Sequence, residues 1–236
     1  MSAVWYALIA AAANVAGASA VTFRRAWSTR SLELLIAFSA GFMLSVSIAD
    51  ILPAAILRDG ERAALIALVG FLLVHFTQHA MVGHFHFGEE THRVAPNVRV
   101  SALVGLFMHT FVDGVAIASG FAVSPRLGAL VFGAVFLHKF PEGLAISSLT
   151  LAAGGTRHEA LRAAALLGAA TLAGFALASS IGEFARAGLA LSGGVTLYVG
   201  ASNLVPEFQG KPGWWHSGVF FGGSAVYLAV RTMMPL

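Results

Sequence analysis

The sequence predicts an all-α polytopic membrane protein of eight transmembrane helices, with spans 1–3 and spans 6–8 forming an inverted repeat around central spans 4 and 5. Three observations carry this expectation. Of the 236 residues, 58% are hydrophobic and only 11% are charged, with a mean hydropathy of +0.81. A soluble domain carries about 25% charged residues to meet water. Apolar stretches of about 20 residues, the length that crosses a bilayer, recur along the chain. Two pairs of these stretches also resemble each other residue by residue.

The stretches run over 3–23, 32–57, 62–83, 99–122, 126–151, 159–183, 187–207 and 215–234. They fill residues 1–236 as one transmembrane domain and leave no room for a separate soluble one. The first opens without a basic leader, so it reads as a span and not as a cleaved signal. Arg24, Arg25 and Arg30 follow it. The main polar loop, 84–98, precedes span four and carries His84, His86, Glu89, Glu90 and His92. Spans five and six are joined through Gly154-Gly155-Thr156-Arg157-His158-Glu159. Trp214 and Trp215 open span eight, where indoles favour the membrane interface. Abundant Gly and Ala let spans pack closely.

Loops one, three, five and seven hold Arg24, Arg25, Arg30, Arg93, Arg99, Arg157, Arg162 and Lys211, against Arg58, Arg62, Arg126, Arg186 and Arg231 on the other side. The positive excess places the odd loops, including the His-bearing 84–98, in the cytoplasm and both termini outside; the expected location is a plasma (inner) membrane. The net charge of +3 comes from scattered arginines, so the lipid bilayer is the expected partner and nucleic acid is not. Without cysteine, disulfides and thiolate metal sites are excluded.

The first internal match lies in spans four and five. His109-Thr110-Phe111-Val112-Asp113-Gly114 and His138-Lys139-Phe140-Pro141-Glu142-Gly143 each place an imidazole and a carboxylate four residues apart, on one face of a helix. The match continues through HTFVDGVAIAS and HKFPEGLAISS. In the second match, Gly41 to Pro53 of span two aligns without gaps to Gly194 to Pro206 of span seven, with Asp50 on Asn203. Both pairs cross the membrane in opposite senses. An axis in the membrane plane relates such repeats in transporters, and substrate sites sit near it.

A charged side chain in mid-membrane is costly and is usually paired or functional. The plain reading of His109, Asp113, His138 and Glu142 is a polar cluster that locks two helices together. Two matched His/acid motifs fit better a divalent first-row metal: imidazole is a good donor, and two carboxylates cancel a dication's charge. Pro141 removes a hydrogen bond to the Leu137 carbonyl, beside His138 and Glu142. His75 and His79, four apart in span three, fit a packing role better than a ligand role. Asp50 and Asn203 are candidate way-stations at the ends of their spans, against simple helix-end hydrogen bonding.

Together, the two motifs, their order, the eight spans, the His-bearing loop and the Pro-ending spans two and seven resemble the ZIP (Zrt-, Irt-like) metal transporters. The resemblance covers essentially the whole chain. It implies uptake of zinc, or of iron, manganese or cadmium, into the cytoplasm, often by a homodimer, with spans one, four, five and six moving against the rest. It places the metal on His109, Asp113, His138 and Glu142, with Met43 as a fifth, soft ligand. A second, adjacent metal position falls on Thr110, Lys139 and Glu183.

Lys139 departs from that pattern, since a protonated amine ligates no metal. We therefore expect one transport metal, with Lys139 as a fixed charge that pairs with Glu142, Asp113 or Glu183 when the metal leaves. Two other readings use the same residue types. An intramembrane hydrolase would activate water on a bound metal, although no His-Glu-x-x-His motif is present; a membrane metal sensor would bind without moving its ion.

Overall fold

A computed structural model describes residues 2–23, 29–78 and 96–234. Every regular element among them is helical: α1 (Ala3–Phe23), α2 (Thr29–Val46), α3 (Leu52–Phe76), α4 (Pro96–Val123), α5 (Pro125–Ala152), α6 (Arg157–Ser180), α7 (Gly182–Tyr198) and α8 (Trp215–Met233). Two π-helical turns, Ser47–Ile51 and Val199–Leu204, extend α2 and α7. Loop 84–98 lies outside the described residues except for the start of α4, as do Arg24, Arg25, His79 and Arg93.

Local chemistry sets the helix ends. Ser124 caps α5 by accepting from the Leu127 amide at 3.1 Å, with Pro125 in the first turn, where its missing N–H costs nothing. Thr156 and Glu159 form a reciprocal capping box at α6, satisfying two amides that a helix start leaves open. Between α6 and α7, Ile181 is extended at φ −123° and ψ 98°. The sixth helix therefore stops at Ser180, and Glu183 opens the seventh.

Five segments among the described residues are long and apolar enough to cross a membrane: Ala3–Phe23, Arg30–Phe76, Leu103–Val123, Pro125–Ala152 and Arg157–Ser180. Arg30–Phe76 has 47 residues, or about 70 Å at 1.5 Å per residue, more than twice the hydrocarbon thickness. Gly60 interrupts it with a left-handed φ of +56° and ψ −136°, a conformation that favours glycine. Large apolar side chains point outward, among them Leu57 at 88%, Phe221 at 66% and Phe76 at 61% exposure. Water-soluble monomers rarely leave such surface open.

Four helix pairs form the tightest contacts, α1 with α5, α4 with α6, α3 with α7 and α2 with α8. Each is closed by a reciprocal pair of glycines. A Cβ on Gly114 would overlap the Thr171 carbonyl oxygen, and one on Gly174 would overlap that of Phe111. Gly17 and Gly143 likewise lie against the carbonyls of Phe140 and Asn14, Gly41 and Gly223 against those of Phe220 and Phe38, and Gly70 and Gly194 against those of Leu191 and Ala67. In each clasp the opposing carbonyl belongs to the residue three before the partner glycine. Gly114 and Gly143 directly follow Asp113 and Glu142, so these clasps fix the backbone on which the polar residues stand.

Candidate metal centre

The repeated motifs lie where α4 and α5 pack together. His109, Asp113, His138 and Glu142 are all buried, and each offers one ligand atom within 4.8 Å of the others. Asp113 Oδ2 is the hub. It lies 3.4 Å from His109 Nε2, 3.2 Å from His138 Nε2 and 2.6 Å from Lys139 Nζ. The edge of a zinc tetrahedron with bonds of 2.0–2.2 Å is about 3.4 Å, so each histidine nitrogen stands from the Asp113 oxygen at the spacing of metal ligands.

Second interactions orient the donors. The Nδ1–H of His138 donates to the Ala134 carbonyl at 2.8 Å. This turns its Nε2 toward the hub at 3.2 Å, the orientation in which a histidine anchored through its other nitrogen can serve as a ligand. The rings of His109 and His138 tilt against each other with centroids 5.3 Å apart. His109 Nδ1 is buried without a hydrogen-bond partner among the described residues.

Lys139 is fully buried. Besides Asp113, its ammonium meets Glu142 Oε2 at 2.7 Å and donates to the Thr110 hydroxyl at 3.1 Å. Thr110 in turn donates to Glu142 Oε1 at 2.5 Å. Thr110, Lys139, Asp113 and Glu142 thus form one network, in which the buried ammonium is paired with two carboxylates.

Glu183 is not brought into this network. It sits exposed in the first turn of α7, where an acidic side chain favours the helix dipole, because the extended Ile181 ends α6 before it. Met43 is buried in α2, a helix that packs on α5. Asp50 lies in the first π turn and accepts from the Tyr227 hydroxyl and from Arg231 Nε at 3.2 Å. Asn203 occupies the second π turn. His75 Nδ1 lies 3.3 Å from the Tyr198 hydroxyl.

Two features have no signal in the sequence beyond a polar residue in an apolar run. Ser39 Oγ lies 2.8 Å from the Leu35 carbonyl and 3.0 Å from the Leu137 carbonyl, so α2 brings a hydroxyl, its one proton shared between two acceptors, to the carbonyl that Pro141 leaves without its helix donor. At the other end of α2, Glu33 pairs with Lys211 at 2.9 Å and with His216 at 3.1 Å. The hydrogen bond and charge of Glu33 raise the Lys211 pKa above the usual lysine value.

Comparisons with known proteins agree with this chemistry. The sequence model of the family described as "ZIP Zinc transporter" matches residues 88–229. The chain is 32% identical over 119 residues to the protein named Zinc transporter ZupT of Enterobacter sp. (strain 638), and 31% identical over 119 residues to that of Escherichia fergusonii. Each match covers 46% of this chain and 46% of the relative, so the aligned chain spans about half the length of the curated relatives it matches.

Proposed function

The chain belongs to the ZIP zinc transporter family, and from that premise we propose that it carries a divalent transition metal into the cytoplasm by alternating access. Zinc is the first cargo, with iron, manganese and cadmium suited to the same donors. The metal is held by His109, Asp113, His138 and Glu142, with Met43 as a fifth, soft ligand. The observation that carries this reading is the placement of two histidine nitrogens on the Asp113 oxygen at 3.2 and 3.4 Å. Membership of a transporter family sets aside the hydrolase reading.

The bundle crosses the membrane eight times as an inverted repeat, with both termini outside. Supporting this, the π turns after α2 and α7 fall at matched positions of the aligned Gly41–Pro53 and Gly194–Pro206 segments. The clasp of α1 with α5 mirrors that of α6 with α4, and the clasp of α2 with α8 mirrors that of α7 with α3. Helices α2 and α8 also run parallel, since Glu33 and His216 pair at their starts and Asp50 and Arg231 at their ends. Parallel alignment fits two even-numbered crossings. Asp50 and Asn203 stand as way-stations on the two sides, and the protein works as a homodimer in the plasma (inner) membrane.

One metal is carried per chain, because Lys139 fills the place beside the carboxylates where a second would bind. Titration of the purified protein with zinc is therefore expected to saturate at one tightly bound ion per chain. Two tight ions per chain, both near α4 and α5, contradict the single-metal reading. No saturable binding contradicts the site itself.

A further inference from the structure

Resting on that reading, we infer that Lys139 is the resident cation of the empty site and that its charge is what lets the carrier return without metal. The geometry is specific. The ammonium bonds at 2.6 Å to the same Asp113 oxygen that both histidines face, and at 2.7 Å to Glu142. A metal taking those oxygens displaces Nζ from them. Thr110 is the partner the ammonium keeps, since its hydroxyl accepts from Lys139 at 3.1 Å without being one of the four metal donors.

Charge counting gives the consequence. With neutral imidazoles, Asp113, Glu142 and Lys139 sum to −1 when the site is empty and to +1 when it holds a dication. Without Lys139 the same states carry −2 and 0. The cost of a net charge in a low-dielectric interior grows with its square. Lys139 therefore gives the loaded and empty sites charges of equal magnitude. A neutral residue there favours the loaded site and penalises the empty one. The lysine weakens binding and speeds the empty half of the cycle.

The two halves separate experimentally. Net influx of labelled zinc into zinc-free liposomes needs the empty return, whereas exchange of labelled for unlabelled zinc at equal concentrations does not. We expect Lys139→Met to bind zinc at least tenfold more tightly, and to lose at least tenfold in net influx relative to exchange. Lys139→Arg keeps the charge and holds the wild-type ratio. If Lys139→Met does not fold, Lys139→Gln, which can still hydrogen-bond Thr110, is measured in its place with the same expectation. Net influx and exchange changing in equal proportion in the neutral variant overturn the inference while leaving the transport reading in place. Absence of both fluxes in the wild type overturns the transport reading.

Discussion

Asp113→Ala is expected to weaken zinc binding by at least about 100-fold, because losing even a residue that only supports a ligand typically costs 10–100-fold. Asp113 is the hub of the site: His109, His138 and Lys139 all converge on its Oδ2. Its removal takes away a proposed charged ligand and leaves the buried ammonium with Glu142 as its remaining carboxylate. Removing one member of a buried ion pair costs about 3–5 kcal/mol, so the variant should also melt earlier. Asp113→Asn separates the effects: it preserves shape and hydrogen bonding, recovers part of the stability, and still binds zinc poorly. Titration and thermal melting of the detergent-solubilised protein read the two quantities.

Gly114→Ala is expected to prevent correct folding, although it adds one methyl group. The new carbon would overlap the Thr171 carbonyl oxygen and approach the Phe175 amide nitrogen at 2.7 Å. Overpacking against side chains costs about 1–3 kcal/mol. Here the obstruction is helix backbone, which cannot rotate aside, so the cost lies at or above the top of that range. The partner glycine offers no relief, since Gly174 is pressed equally closely against Phe111. Gly222→Ala is the control, with nothing within 4 Å of its added carbon. Size-exclusion profile and melting temperature should fall sharply for the first variant and hold for the second.

The helical class was legible because apolar runs, Gly and Ala dominate a chain with few charges. The convergence of the site was legible because a His/acid spacing of four puts both groups on one helix face, and two copies imply two facing helices. Tertiary relations were harder to read. Pro141 announces that the Leu137 carbonyl loses its donor, but nothing local announces that the Ser39 hydroxyl, far away in sequence, comes within 3.0 Å of it. Glu183 falls within a continuous apolar stretch, and only the extended Ile181 transfers it from the sixth helix to the seventh. The motif glycines after each acid read as generic packing residues, because a clasp needs the partner helix to be seen. Among the three carboxylates offered to Lys139 by the sequence, geometry selects Asp113 and Glu142.

The most direct measurement of the central claim is zinc flux into liposomes that contain the purified protein and an internal zinc-sensitive dye, with Glu142→Ala in parallel. Glu142 is buried and holds both Lys139 and Thr110, so its loss removes a proposed metal ligand and opens the network at once. Saturable influx in the wild type, lost in Glu142→Ala, is the predicted result. Protein that binds zinc at this site yet passes none under any imposed pH gradient would contradict the account, and would mark the site as one that senses metal and does not move it.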